Sequence, residues 1–184
     1  MANGELADVL IVRPDENREL VETGKVLAEG QEVVARIGTG IFIRDSTPAF
    51  DISNPDAFKR AILAADSICF NNVGSGIAFG EMLQRLGVSE KIMGKIVCVP
   101  PDALLENVLS RTGNDLGAAT MSSILDSRAK GLKLIGPLPT EFQFYLVLSA
   151  SVMASSHSPD AAKQFIEFLV SRESKTAIAA AGAL

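Results

Sequence analysis

Tryptophan is absent from the 184-residue chain, and tyrosine and histidine occur once each and cysteine twice. Even with nine phenylalanines the aromatics reach only 5%, too few to build the stacking platforms that hold nucleobases or sugar rings. One His and two Cys cannot assemble a four-ligand structural zinc site or a disulfide framework, so neither metal nor cofactor is expected. Basic residues are the minority, 17 Lys and Arg against 22 Asp and Glu, for a formal charge of −5. No basic footprint is available to neutralise a polyphosphate or an anionic bilayer, and nucleic acid is not an expected partner. No run approaches the roughly 18 uninterrupted apolar residues of a membrane span. The opening Met1-Ala2-Asn3-Gly4-Glu5 has neither the basic nor the apolar stretch of a signal peptide.

What is present is the composition of a folded globular protein, 47% apolar and 21% charged. A chain of this length can bury about 70% of its unfolded surface, so a core needs no covalent staple. Cys69 and Cys98 both lie inside apolar runs, Ser67–Phe70 and Lys95–Val99, and are read as buried, reduced thiols, with a cross-strand disulfide as the alternative.

From Ala7 onward short β-rich runs alternate with helical patterns, the signature of an α/β domain. Asp8–Val12 reads as a strand stopped by Arg13-Pro14, and residues 15–23 as a polar helix or turn. Glu32–Ile37 and Gly40–Arg44 read as two short strands on either side of Gly38-Thr39, suggesting a crossing or a hairpin. Asn54-Pro55-Asp56 is a helix start: a capping side chain, a proline suited to the first helical position and a carboxylate at the positive end of the dipole. After a strand ending at Phe70 comes Asn71-Asn72-Val73-Gly74-Ser75-Gly76, then a helix with Phe79, Met82, Leu83 and Leu86 at core-facing spacing. Lys95–Val99, Leu116–Thr120 and Leu132–Ile135 read as strands and Leu104–Leu109 as a helix. Phe142–Met153 reads as one long strand passing between lobes, followed by helices starting at Ser158-Pro159-Asp160 and Ser171. On the first of these, Ala162, Phe165, Ile166 and Leu169 form the apolar face.

The glycine loop between strand and helix is the most informative local feature. Glycines let backbone N–H groups approach a ligand closely, and a helix N-terminus adds partial positive charge, so an anion suits it. It lacks the Lys-Ser/Thr pair of a phosphate-binding P-loop and the full dinucleotide fingerprint. A plain cap with a tight turn is the competing reading. His157 sits in a serine-rich loop before a helix, where an exposed histidine is the default. Asp102, Glu106, Asp115 and Asp126 lie near helix ends and turns that account for them by capping and solvation. Arg36 and Arg44 flank Gly38-Thr39-Gly40 and could face a cleft or simply be solvated. Tyr145 could be a core residue or a hydroxyl donor at a lobe junction.

Taken in order, Gly4–Ile11, Pro48–Leu63, Gly74-Ser75-Gly76, Gly113–Gly117, Gly136–Pro139 and Ser158–Leu169 with the terminal Ala-Gly-Ala-Leu make the chain resemble the molybdate-binding type of periplasmic solute-binding protein, the receptors of ABC transporters. The resemblance covers nearly the whole chain. It implies a two-lobed α/β fold of the type II periplasmic-binding-protein kind with mixed, mostly parallel sheets, the first lobe incomplete. Residues 1–38 would be the remainder of lobe 1 and the first crossover, 39–144 lobe 2, and 145–184 the second crossover strand with C-terminal helices packing on lobe 1. It further implies a non-enzymatic receptor that captures a small oxyanion or small carboxylate between its lobes by hydroxyls and backbone N–H groups.

Carried over by position, the ligand-binding set comprises Asn72, Gly74, Ser75 and Gly76 at the helix start, with Ala119 or Thr120 after Leu116-Gly117. The family's cleft tyrosine falls on Ser149 by a gap-free count from the last helix, with Tyr145 four residues earlier. The implied partner is a transporter permease and the implied location periplasmic, or cytoplasmic if Met1 is the true start. The alternative is a shortened, dimeric relative that has lost transport and serves as an interaction domain or a repurposed small-molecule enzyme.

Overall fold

A computed structural model describes residues 6–127 and 130–184. The chain forms two compact units, one made of Met1–Arg36 with Leu146–Leu184 and the other of Ile37–Tyr145.

In the first unit β1 (Val9–Val12) pairs antiparallel with β7 (Tyr145–Val152), which neighbours β2 (Glu32–Arg44). The helices are α1 (Pro14–Glu22), α7 (Pro159–Leu169) and α8 (Arg172–Ala180). Alternation along β1 and β7 gives the sheet two different faces. One packs Ala150, Val152 and Val9 against Ala162 and Ile166 of α7. The other carries Ser149 and Ser151, whose hydroxyls are answered by the fully buried Asn17 of α1. Its Nδ2 donates to Ser149 Oγ at 3.1 Å, and its Oδ1 accepts from Ser151 Oγ at 2.8 Å. Phe165, expected on the core face of α7, is half-exposed: the sheet is narrow and takes only the Ala162–Ile166 ridge.

The second unit is a sheet between two helical layers. It holds the C-terminal part of β2, then β3 (Ile68–Asn71), β4 (Ile96–Val99), β5 (Leu116–Thr120) and β6 (Leu132–Pro137). β3 runs parallel to β4 and β5, while β2 pairs antiparallel with β5 and β6. Ile41, Ile68 and Phe70 face α2 (Pro55–Ala64), α3 (Gly74–Arg85) and α4 (Ser89–Ile92) through Phe58, Ile62, Phe79, Met82 and Ile92. Phe42 and Cys69, one residue along each strand, face α5 (Leu104–Leu109) and α6 (Met121–Asp126) through Leu104, Val108 and Ile124. Asn54 caps α2 as its sequence predicts, Oδ1 accepting from Ala57 N at 2.9 Å.

Three further expectations are corrected. β2 is one 13-residue strand through Gly38-Thr39-Gly40, not two short ones. Gly40 is there because any Cβ would meet Leu134, Met121 and the Gly136 carbonyl at 2.9–3.1 Å, not because the chain turns. Strand β7 begins at Tyr145, because Phe142 packs on the Phe58 ring and Gln143 turns its amide to β2. Cys98 is exposed: β4 ends the strand order, and its residues alternate between exposed and half-buried. Cys69 is buried as expected, and both thiols are free.

Candidate anion site

The N-terminus of α3 is built by the asparagine pair that ends β3. Asn71 Oδ1 accepts from Val73 N at 3.1 Å, and Asn72 N donates to the Val99 carbonyl at 3.1 Å, which fixes the loop to the neighbouring strand. Gly74 then adopts φ +43°, a left-handed conformation that glycine enters without a Cβ penalty. Gly76 is pressed onto the end of β3 so closely that a Cβ would stand 1.8 Å from the Asn71 carbonyl oxygen. Its own N–H returns to Val73 O at 2.9 Å. Position Val73 offers no side-chain cap, and the first turn of the helix holds no acidic residue. Among the described residues the N–H groups of Gly74 and Ser75 find no acceptor, so the positive end of a 12-residue helix is left with two unanswered donors.

Register decides what lies beside them. β3 and β5 run parallel with Ile68 opposite Leu116 and Cys69 opposite Gly117, so Asn71-Asn72 and Ala119-Thr120 emerge at the same end of the sheet. β2 pairs antiparallel to β5 with Thr39 opposite Thr120 and Gly40 opposite Ala119, bringing its Gly38-Thr39 step to that end too. In open α/β sheets ligands bind at the carboxyl ends of parallel strands. Thr120 Oγ1 lies 2.8 Å from Ser123 Oγ. Gln143 closes the outer side of β2, its amide giving Nε2–H to Thr39 O and taking Thr39 N–H, both at 3.0 Å. Tyr145 rests its half-exposed ring against Gly38, where a Cβ would touch it at 3.5 Å.

Asn72, Gly74, Ser75, Gly76, Ala119, Thr120 and Tyr145 thus all belong to the second unit, the first six at one strand-end rim and Tyr145 beside β2 at the same end. Ser149 belongs to the first unit, where it is buried with its hydroxyl engaged by Asn17 and directed at Val12 O. Thr39 and Gln143 were not singled out by the sequence as candidate site residues. Their pairing spans 104 positions and leaves no local signal. Arg44 lies at the other end of β2, donating to Gly113 O at 2.7 Å. Arg36 exchanges backbone hydrogen bonds with Leu184 in the first unit.

The donors at the rim are neutral. Displaced titrations belong to other places: the Ser156 hydroxyl lowers Asp8, the Ser53 backbone N–H lowers Asp51, and burial raises the Cys69 thiol. Among the described residues no cluster of His, Cys, Asp and Glu could hold a metal ion, and no helix is long and apolar enough to cross a membrane. The arrangement can therefore offer backbone N–H and hydroxyl donors to a small anion without burying a countercharge, whose desolvation would be costly.

These two units and their strand order define a type II periplasmic-binding-protein fold. The substrate binding domain assigned to a molybdenum ABC transporter of Clostridium difficile superposes with a TM-score of 0.81 at 18% identity, covering 99% of this chain and 78% of that one. The periplasmic molybdate-binding protein of Azotobacter vinelandii gives 0.72 at 19% identity, covering 100% and 80%. A family profile described as bacterial extracellular solute-binding protein matches residues 1–183, and the chain belongs to that family. Among curated relatives, an aconitate isomerase of a Pseudomonas species is 26% identical over 183 residues, 99% of this chain and 69% of its own length.

Proposed function

We infer that the protein is a binding component for a small oxyanion or small carboxylate, held at the rim formed by the α3 N-terminus and the ends of β5 and β2. The observation that carries this is the pair of unanswered N–H groups at Gly74 and Ser75, on a helix with no cap and no acidic first turn. In this reading Gly74 and Ser75 donate backbone N–H groups and Ser75 adds its hydroxyl. Asn72 and Thr120 supply further polar groups at the edge, and Tyr145 contributes a ring and a hydroxyl beside Gly38. Gly76 and Ala119 act by being small. Family membership and the molybdate-binding structures of the same fold support a tetrahedral oxyanion, delivered to an ABC transporter permease in the periplasm. The isomerase relative supports a second reading, in which the same donors take a small polycarboxylate and the chain is an enzyme.

Titration calorimetry with molybdate, tungstate, sulfate, citrate and trans-aconitate separates these. Heat with the inorganic anions alone supports the oxyanion receptor; heat with the carboxylates, with conversion of aconitate followed by NMR, supports the enzyme. No heat with any of them, in a folded sample, overturns the anion site. Two substitutions test the donors. Ser75→Ala keeps the backbone N–H, whereas Ser75→Pro removes it at a first-turn position that tolerates proline. A hydrogen bond to a charged group contributes about 1.5–3 kcal/mol, so the proline variant should lose roughly ten- to a hundredfold more affinity than the alanine variant.

A further inference from the structure

We propose that Gln143 is a positioning residue of the anion site, a side chain that touches no ligand but holds the end of β2 so that Thr120 and Tyr145 keep their places at the rim. The role rests on the rim being an anion site, as inferred above. The ladder between β2 and β6 runs out at Gly40 opposite Pro137, a residue with no N–H to give. Beyond it Leu138 N donates to Thr39 O at 3.1 Å, and the Thr39 N–H is taken by Gln143 Oε1 at 3.0 Å. Gln143 Nε2 donates to the same Thr39 carbonyl, also at 3.0 Å. One side-chain amide therefore exchanges both bonds with Thr39, as an opposed residue of a neighbouring antiparallel strand would. Its Oε1 also accepts from Phe144 N at 3.1 Å. Two N–H groups on the oxygen fix which way the amide faces.

This clasp acts on both sides of the strand end. Because both Thr39 backbone groups point away from β5, Thr39 and Thr120 form the kind of opposed pair that exchanges no backbone bond and brings side chains closest. Ile41 and Ala118, two residues inward on each strand, pack on the α3 side of the sheet. By alternation Thr39 and Thr120 turn to that same side, where α3 begins. Gly38 turns to the other side. A Cβ there would stand 3.3 Å from Gln143 Nε2 and 3.5 Å from Tyr145 Cε1, so the amide and the ring meet over one glycine.

The clasp is itself anchored to the core. The Phe142 ring packs on Phe58 with centroids 6.0 Å apart, and the N–H groups of Phe142 and Gln143 bond back to Pro139 O and Thr140 O. Without the amide, Thr39 keeps only the bond from Leu138 on that side, and the Tyr145 ring loses its neighbour over Gly38.

Tyr145 is the only tyrosine and the chain has no tryptophan, so intrinsic fluorescence reports this one ring. Gln143→Met keeps the length of the side chain and removes both bonds to Thr39. Gln143→Asn stays polar but is one methylene too short to make them, and serves if the methionine variant does not fold. Both should lower the anisotropy of the tyrosine fluorescence in the absence of any anion. Calorimetry with molybdate and with trans-aconitate should show about tenfold weaker binding of whichever the parent takes up, since a misplacement near 1 Å costs up to about a hundredfold. A merely structural role would lower the midpoint of urea denaturation and leave anisotropy and affinity unchanged. Parent-like affinity or parent-like anisotropy in a folded variant overturns the positioning role and leaves the anion site standing. A folded parent that binds neither probe overturns the anion site, and the role falls with it.

Discussion

Replacing Gly76 with alanine tests whether close packing of α3 onto β3 sets the donor geometry. The added Cβ would lie 1.8 Å from the Asn71 carbonyl oxygen, 2.5 Å from its Oδ1 and 2.6 Å from its carbonyl carbon, where real Cβ atoms essentially never come within 3.0 Å. Backbone must therefore separate from backbone by at least about 1.2 Å, because no flexible side-chain end can yield instead. Phe79, Met82 and Leu83 lock the body of the helix into the core, so the strain falls on the first turn or on the Asn71-Asn72 loop. Overpacking of this kind costs about 1–3 kcal/mol, and in a chain of this size each kcal/mol moves Tm by roughly 2–4 °C. Gly74→Ala is the control: it has open space around its Cβ but φ +43°, and so loses about 1–2 kcal/mol from left-handed strain alone. The two differ in anion affinity. A displacement near 1 Å at a positioned site costs up to about a hundredfold, and Gly76→Ala should lose more binding than Gly74→Ala at comparable stability loss. Urea denaturation and calorimetry with molybdate measure both. A Gly76→Ala protein within about 0.5 kcal/mol of the parent, a range usual for neutral substitutions, and binding anion equally well would refute the reasoning.

Asn17→Ala should destabilise the chain by roughly 1–3 kcal/mol in urea denaturation, because it removes the acceptor of the buried Ser151 hydroxyl and the amide that donates to Ser149, whose own proton still reaches Val12 O. Native protein treated with a thiol reagent should modify one cysteine quickly, identified as Cys98 by peptide mass. Cys69, buried with its thiol pushed up, should react only on unfolding. Asp8 sits below the ordinary carboxylate value because the Ser156 hydroxyl bonds its charged form at 2.6 Å. Its contribution is therefore present above its unfolded value of about 3.8 and lost as pH falls through its lower folded value. Asp8→Asn should be less stable than the parent at neutral pH, and the difference should disappear in strong acid.

Where the sequence is legible, the signal is local. Asn54-Pro55-Asp56 caps α2 because its donors and acceptors lie three residues apart. Phe79, Met82 and Leu83 face the core because helical spacing alone puts them on one side. The glycine loop is visible as a junction of strand and helix, although the helix already starts at Gly74, where the reading keeps a loop. The misreadings share one cause, which is that identical local text serves different non-local partners. Gly38-Thr39-Gly40 resembles a turn, but its glycines make room for Gln143, Tyr145, Leu134 and Met121 from segments about a hundred residues away. Lys95–Val99 resembles a buried strand, and only the strand order places it at an edge that exposes Cys98.

The same distinction bears on the candidate site. An alignment counted by residue number transfers a role to a position, and here the count from the last helix reaches Ser149, a side chain already committed to Asn17. Tyr145 is four residues earlier, and its ring lies on Gly38, one residue from the Thr39–Thr120 pair. A hydroxyl donor must have a lone O–H to give and a surface from which to give it. Tyr145 is half-exposed, whereas Ser149 is buried and its proton is directed at Val12 O. Of the two, Tyr145 meets both conditions. Tyr145→Phe should weaken anion binding by the roughly tenfold expected for one lost hydrogen bond near 1.4 kcal/mol. Ser149→Ala should instead register in stability, through the Asn17 amide it leaves half-satisfied.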